Sequence, residues 1–81
     1  MTCLIIDNPH HELPDTLNRF LQDKEVETVR FCDPWMAVQK AQEQHFDLIL
    51  LDAQTPGMRI DSTIQLLKGC DPQARIIVRT D

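Results

Sequence analysis

The chain has 81 residues, a length that corresponds to one small domain with a single modest core. Eight Lys and Arg residues against thirteen Asp and Glu residues leave a net charge of −5, which argues against direct nucleic-acid binding. The longest aliphatic run, 48–51, is far shorter than the roughly 20 residues of a membrane span, and no signal-peptide pattern begins the chain, so we expect no membrane segment. The three cysteines, Cys3, Cys32 and Cys70, are widely spaced, which predicts small buried side chains in a reducing, cytoplasmic compartment.

Short apolar runs alternate along the chain with segments of helical periodicity. Four runs predict strands because each is rich in aliphatic or β-branched residues and is bounded by polar residues. These predicted strands span 3–6, 26–32, 47–52 and 75–80. Three intervening segments place apolar residues on one helical face, which predicts three helices. The apolar positions are Leu13, Leu17, Phe20 and Leu21; Ala37, Val38 and Ala41; and Ile60, Ile64, Leu66 and Leu67.

Local signals mark where the predicted helices begin and end. Asp33 followed by Pro34 predicts the capped start of the second helix, which we expect to end near residue 44. Gly69 is expected to stop the third helix. Trp35 and Met36 are expected to pack against the sheet or a neighbouring helix, and a surface patch that binds a partner is the alternative.

The alternation of strands and helices predicts a parallel sheet with helices on both faces. Ligands of such sheets bind beyond the carboxyl ends of the strands. Polar residues follow the predicted strands at this edge, which we call the carboxyl rim: Asp7 with Asn8, Asp33, Asp52 and Thr80. Asp33 is best explained as a helix cap. Because Asp7 and Asp52 directly follow strongly apolar strands, we expect them to lie side by side, with Asp52 reachable from outside. Oxygen ligands of this kind suit Mg²⁺.

Four motifs, in order, resemble the receiver domains of bacterial two-component response regulators. Residues 47–58 (DLILLDAQTPGM) are similar to the phosphoacceptor segment of that family, and residues 4–9 (LIIDNP) to its acidic first strand end. Residues 37–41 (AVQKA) resemble the second helix of the family, and residues 76–80 (IIVRT) its fourth strand with a hydroxyl residue. The resemblance covers 1–81 as a single receiver-like domain, the N-terminal two-thirds of a full receiver. It implies a flavodoxin-like, doubly wound α/β fold with sheet order 2-1-3-4.

The resemblance also implies roles for particular residues. Asp52 would accept a phosphoryl group from the phosphohistidine of a sensor histidine kinase or a phosphotransfer protein. Asp7, Asn8, Asp52 and the backbone carbonyl of Gln54 would hold Mg²⁺. Thr80 would be the switch hydroxyl that moves toward the phosphoryl group. Such a protein modifies itself and is not a turnover enzyme.

The chain departs from the family pattern at several positions. Asn8 replaces an acidic residue, which removes one negative charge from the metal site and predicts weaker Mg²⁺ binding. Thr55 and the pair Arg59 and Ile60 also differ from the usual loop residues. Receivers continue with a helix, a strand that carries a lysine, and a further helix, none of which this chain contains. No catalytic lysine is therefore assigned.

The other lysines, Lys24, Lys40 and Lys68, are expected near helix ends opposite the carboxyl rim. Without the further elements, the fourth strand would form an uncovered edge. An uncovered apolar edge favours pairing with another chain, so we expect either self-association or a chain that is a fragment of a longer protein.

Three other functions are compatible with this topology. A degenerate receiver that acts by protein contacts alone, without phosphorylation, is favoured by Asn8 and by the missing lysine. A nucleotide or flavin binder would need a Gly-rich or hydroxyl-rich turn after the first strand, where Asn8 and Pro9 stand. A phosphatase with an aspartyl nucleophile on the first strand would usually place a second Asp at position 9.

Overall fold

The computed structural model describes residues 1–8, 10 and 14–80. Strands and helices alternate along this part of the chain, as the sequence predicts. The elements are β1 (Thr2–Ile6), α1 (Asp15–Asp23), β2 (Glu27–Phe31), α2 (Pro34–Glu43), β3 (Leu48–Asp52), α3 (Ile60–Cys70) and β4 (Arg75–Arg79). Each strand is five residues long, so the predicted second, third and fourth strands are one or two residues too long.

The four strands form one parallel sheet in the order β2-β1-β3-β4. The central strands β1 and β3 are almost wholly buried, while β2 and β4 alternate between exposed and half-buried residues. The near-continuous apolar runs therefore belong to the centre of the sheet, where both faces are covered. The order and direction of the strands confirm the flavodoxin-like, doubly wound α/β class.

Successive side chains of the central strands point to opposite faces, so the sheet separates two cores. On the face covered by α2 and α3, the larger core contains the fully buried ring of Phe46, with Leu4, Ile49 and Leu67 also at 0% exposure. On the face covered by α1, the smaller core contains four buried residues. These are Cys3, Ile5, Leu21 and Leu50.

Two of the predicted helix ends can be compared with the structure. Asp33 caps α2, since its Oδ1 accepts a hydrogen bond of 2.9 Å from the backbone N–H of Trp35. The predicted stop at Gly69 is wrong, because α3 continues to Cys70. The N–H of Asp71 then closes the helix on the carbonyl of Leu67 at 2.9 Å. The helix therefore ends one residue later than its glycine suggests.

Several side chains predicted to be buried lie on the surface. Trp35 and Met36 are 58% and 52% exposed, so the prediction that they pack against the sheet is wrong. Cys32 is exposed, whereas Cys3 is buried. Phe20 on α1 is 50% exposed, because the smaller core receives Leu21 from the same helix instead. Exposed apolar side chains therefore lie on helices that cover both faces of the sheet.

The amino ends of the strands are joined by a cluster around His45. The Nδ1 atom of His45 lies 2.8 Å from a carboxylate oxygen of Asp71, and its Nε2 atom lies 3.5 Å from Asp47. The hydrogen bond with Asp71 raises the pKa of His45 above its ordinary value. Burial raises the pKa of Asp71, but hydrogen bonds from the N–H of Phe46 and from His45 leave it below its ordinary value. The N–H of Thr2 lowers the pKa of Asp47.

Among the residues described, no helix combines the length and the hydrophobicity that a membrane crossing requires.

Candidate functional site

The two carboxylates singled out by the sequence lie side by side at the carboxyl rim. Ile6 and Leu51 are partners in the parallel register of β1 and β3. Asp7 follows Ile6 directly, and Asp52 is the last residue of β3, so both side chains leave the sheet at the same edge. Both are buried, at 5% and 3% exposure. The parallel register thus places two carboxylates together in a poorly hydrated position.

Asp52 is less accessible than the sequence analysis expects. Its side chain lines a cavity of about 160 Å³ between α1 and the ends of β3 and β4. Pro14, Leu17, Ile77 and Arg79 also line this cavity. Asp52 therefore lies beside this cavity and not on an open surface.

Arg30, on β2, forms an ion pair with Asp7. Its Nε atom lies 3.2 Å from Oδ2 of Asp7, and its side chain is 49% exposed. Burial raises the pKa of Asp7 above its ordinary value, the positive charge of Arg30 opposes this rise, and the negative charge of Asp52 adds to it. The positive charge of Arg79 also lowers the pKa of Asp7. Two guanidinium groups therefore offset the negative charge of the two carboxylates.

Asn8 joins the two loops that carry the predicted site residues. Its Nδ2 donates a hydrogen bond of 3.1 Å to the backbone carbonyl of Gln54, and its Oδ1 accepts one of 2.9 Å from the N–H of His10. The N–H of Gln54 in turn donates to Oδ1 of Asp52 at 2.8 Å. The amide of Asn8 provides a donor that an aspartate would lack, so this substitution replaces a negative charge with a direct link between loops.

We call the group of Asp7, Asn8, Asp52 and the Gln54 carbonyl the acidic site. Its oxygen atoms are ligands that a divalent cation prefers. Arg30 already binds Asp7, and Asn8 already donates to the Gln54 carbonyl. In the described ranges, no three His, Cys, Asp or Glu side chains form a group that could hold a metal ion. The donor set therefore fits a divalent cation in kind, but such a cation has to compete with Arg30 and Asn8.

Thr80 and the lysines lie where the sequence analysis expects them. Thr80 is exposed and directly follows β4 at the carboxyl rim. Lys24 is the residue after α1, and Lys40 and Lys68 lie in the last turns of α2 and α3. The helices of a parallel α/β sheet run opposite to its strands, so these lysines belong to the far edge of the sheet. His10, whose backbone N–H binds the side chain of Asn8, is exposed.

Two charged residues of this region were missed by the sequence analysis. Arg30 and Arg79 stand within the last two positions of β2 and β4, whereas the predicted site residues mostly follow the strands. The sequence does contain a signal for both arginines, because each is a charged residue near the end of an otherwise apolar or β-branched strand. The hydrogen bond from Asn8 to Gln54 has no such signal, because it joins two loops that are distant in sequence.

The fold and the acidic site together define a flavodoxin-like domain with paired aspartates at its carboxyl rim. Solved structures share this arrangement of elements. One is the crystal structure of a response regulator protein from Burkholderia pseudomallei with a phosphorylated aspartic acid, a calcium ion and citrate. It matches with a TM-score of 0.78 and 26% sequence identity, over 95% of this chain and 45% of the matched chain. Neither a protein-family model nor a curated protein matches the chain.

The chain is a receiver-like domain, as the resemblance predicted. It spans less than half the length of the matched response regulator. Its parallel order β2-β1-β3-β4 agrees with the order that the resemblance implies.

Proposed function

We propose that this domain receives a signal as a phosphoryl group on Asp52. The observation that carries the proposal is the placement of Asp52 beside Asp7, at the carboxyl rim of a receiver-like fold and next to a cavity. The matched response regulator carries a phosphorylated aspartic acid, which supports an aspartate as the acceptor. Asp52 is the rim aspartate that ends a strand at the centre of the sheet.

The proposed transfer needs one carboxylate oxygen as nucleophile. An oxygen of Asp52 attacks the phosphorus of the donor, and a new P–O bond forms while the bond between phosphorus and the donor breaks. The leaving group takes the electrons of the broken bond. Acetyl phosphate releases acetate, and a phosphohistidine releases its imidazole nitrogen, which gains a proton. Water later hydrolyses the acyl phosphate, which restores the carboxylate and releases inorganic phosphate.

The residues around Asp52 prepare this reaction. The N–H of Gln54 holds Oδ1 of Asp52 at 2.8 Å and so fixes the direction of the carboxylate. A divalent cation, when bound by Asp7, Asp52 and the Gln54 carbonyl, would neutralise the charge of the incoming phosphoryl group. The calcium ion in the matched structure supports a divalent cation as cofactor, and we propose Mg²⁺ for this chain.

We propose a sensor histidine kinase or a phosphotransfer protein as the natural donor, in the cytoplasm. Thr80, exposed after β4, is proposed as the hydroxyl that responds to the phosphoryl group. Self-association through β4 also stays a prediction; β4 ends the sheet, and Ile77 on it is 53% exposed. Analytical ultracentrifugation that shows a monomer at high concentration would contradict it.

The proposal is tested by incubation with acetyl phosphate and MgCl₂, followed by intact-mass spectrometry. The wild-type protein is expected to gain the mass of one HPO₃ group, and the Asp52→Asn protein is expected to gain none. Asp23→Asn is the matched control, because Asp23 is exposed at the far end of α1. A wild-type protein that gains no mass with acetyl phosphate or with phosphoramidate would refute phosphorylation and leave protein contacts as the function.

A further inference from the structure

A phosphoryl group on Asp52 would place a large negative charge in a buried position. A phosphorylated side chain carries about −1.5 to −2 charges at neutral pH, and Asp52 is only 3% exposed. Asp7 lies beside it at the same edge of the sheet and adds a second buried carboxylate. A buried charge of this size requires a positive partner. The expected partner of the phosphoryl group is therefore the cation that lies closest to Asp52 among the described residues.

Most basic side chains lie far from Asp52 or extend into solvent. The lysines lie at the far edge of the sheet, as described above. Arg75 begins β4 and is the register partner of Leu48, at the same far edge. Arg59 lies near the carboxyl rim, but it is 83% exposed and pairs with Asp61 at 3.3 Å. Arg19 is exposed on α1, outside the sheet. The arginines of the sheet that stand near its carboxyl rim are Arg30 and Arg79.

The sheet order places Arg79 closer to Asp52 than Arg30. Neighbouring strands lie about 4.8 Å apart, and β2 is two strands away from β3. Arg30 is also bound to Asp7 at 3.2 Å. Arg79 lies on β4, which is the direct neighbour of β3, and Asp52 and Arg79 are partners in the parallel register. Arg79 is therefore one strand away from the proposed acceptor.

Asp52 and Arg79 also face the same space. Side chains of register partners in a sheet emerge on the same face, and both residues line the 160 Å³ cavity. Arginine is suited to this role, since its planar guanidinium group binds two oxygens of a phosphoryl group at once.

We propose that Arg79 is the phosphoryl-binding cation of this site. The proposal rests on the proposed function of Asp52. It assigns a second role to β4: the strand that pairs with β3 also supplies the positive charge for the phosphoryl group. Before phosphorylation, Arg79 helps to offset the charge of Asp52 and Asp7. After phosphorylation, its guanidinium group binds the phosphoryl oxygens.

The test compares phosphorylation rates of three variants by intact-mass spectrometry, with acetyl phosphate as the donor. Arg79→Met is expected to lower the rate by about tenfold or more, because it removes a charge-assisted hydrogen bond. Arg79→Lys is expected to retain most of the rate, because it keeps the charge. Arg75→Met is the matched control: it removes the same charge from the far end of the same strand and should leave the rate unchanged.

A second measurement observes Arg79 in the wild-type protein. In wild-type protein labelled with ¹⁵N, phosphorylation should shift the Nε–H resonance of Arg79, identified by its absence in Arg79→Lys, more than that of Arg75. Equal rates for Arg79→Met and Arg75→Met, or an unshifted Arg79 resonance in phosphorylated protein, would overturn the role of Arg79 and leave phosphorylation of Asp52 intact. A wild-type protein that takes up no phosphoryl group would overturn both proposals.

Discussion

The ion pair between Arg30 and Asp7 predicts how strongly the acidic site binds a divalent cation. Replacement of Arg30 with methionine keeps a long apolar side chain and removes the positive charge from Asp7. The oxygen of Asp7 that now lies 3.2 Å from Arg30 would become available to the cation. We therefore expect the Arg30→Met protein to bind Mg²⁺ more tightly than the wild-type protein.

The magnitude follows from the exposure of the pair. A hydrogen bond to a charged group contributes about 1.5–3 kcal/mol, whereas an exposed ion pair contributes about 0–1 kcal/mol. The side chain of Arg30 is 49% exposed and that of Asp7 is 8% exposed, so we assign the pair about 1 kcal/mol. When Arg30 no longer competes for Asp7, the affinity of the acidic site for Mg²⁺ should be about fivefold higher.

The assay is isothermal titration calorimetry with MgCl₂, with the fluorescence of Trp35, the single tryptophan, as a second readout. The titration is done at slightly alkaline pH, because loss of Arg30 also raises the pKa of Asp7 further and protons would compete with the cation. Arg75→Met controls for the change in net charge. Equal Mg²⁺ affinities of the two methionine variants would refute the argument that Arg30 restricts the site.

Two further predictions concern stability. The pKa of His45 is raised from 6.5, so its stabilising contribution is complete below that pH and is lost as the pH rises through the raised value. Asp47 and Asp71, whose pKa values are lowered from 3.8, stabilise above that pH and lose their effect in stronger acid. Thermal unfolding should therefore show the greatest stability at weakly acidic pH. The His45→Gln protein should lose less stability than the wild-type protein as the pH rises above 6.5. An identical pH profile of the two proteins would contradict this prediction. Asp7→Asn should stabilise the fold by about 0.5–1 kcal/mol in urea unfolding, because it removes a buried charge next to Asp52; a less stable variant would be the opposite result.

The two arginines show why a buried pair of carboxylates persists in so small a domain. Asp7 and Asp52 both lie almost out of contact with water, where two negative charges oppose folding. Arg30 and Arg79 reach them from the outer strands β2 and β4. Repulsion between two carboxylates at a functional site commonly lowers the stability of the fold, and the two flanking arginines reduce this loss. The same arginines then influence which ligands the site can accept.

Much of the fold was contained in local patterns of the sequence. Apolar runs identified the central strands, because a strand buried on both faces has no polar positions. Helical spacing identified the three helices, and Asp33 with Pro34 located the start of α2. The same patterns located Asp7 and Asp52 at the carboxyl rim, since a residue that ends a parallel strand must lie at that edge.

The partners of these residues were decided by the tertiary structure. Arg30 meets Asp7, and Arg79 stands beside Asp52, because the parallel register aligns strands that are distant in the chain. The hydrogen bond from Asn8 to the Gln54 carbonyl joins residues 46 positions apart. Periodicity and turn residues act over a few neighbouring positions, so they specify where an element begins and which face is apolar. Which charge lies next to which carboxylate depends on how the elements pack, and only the folded chain determines that.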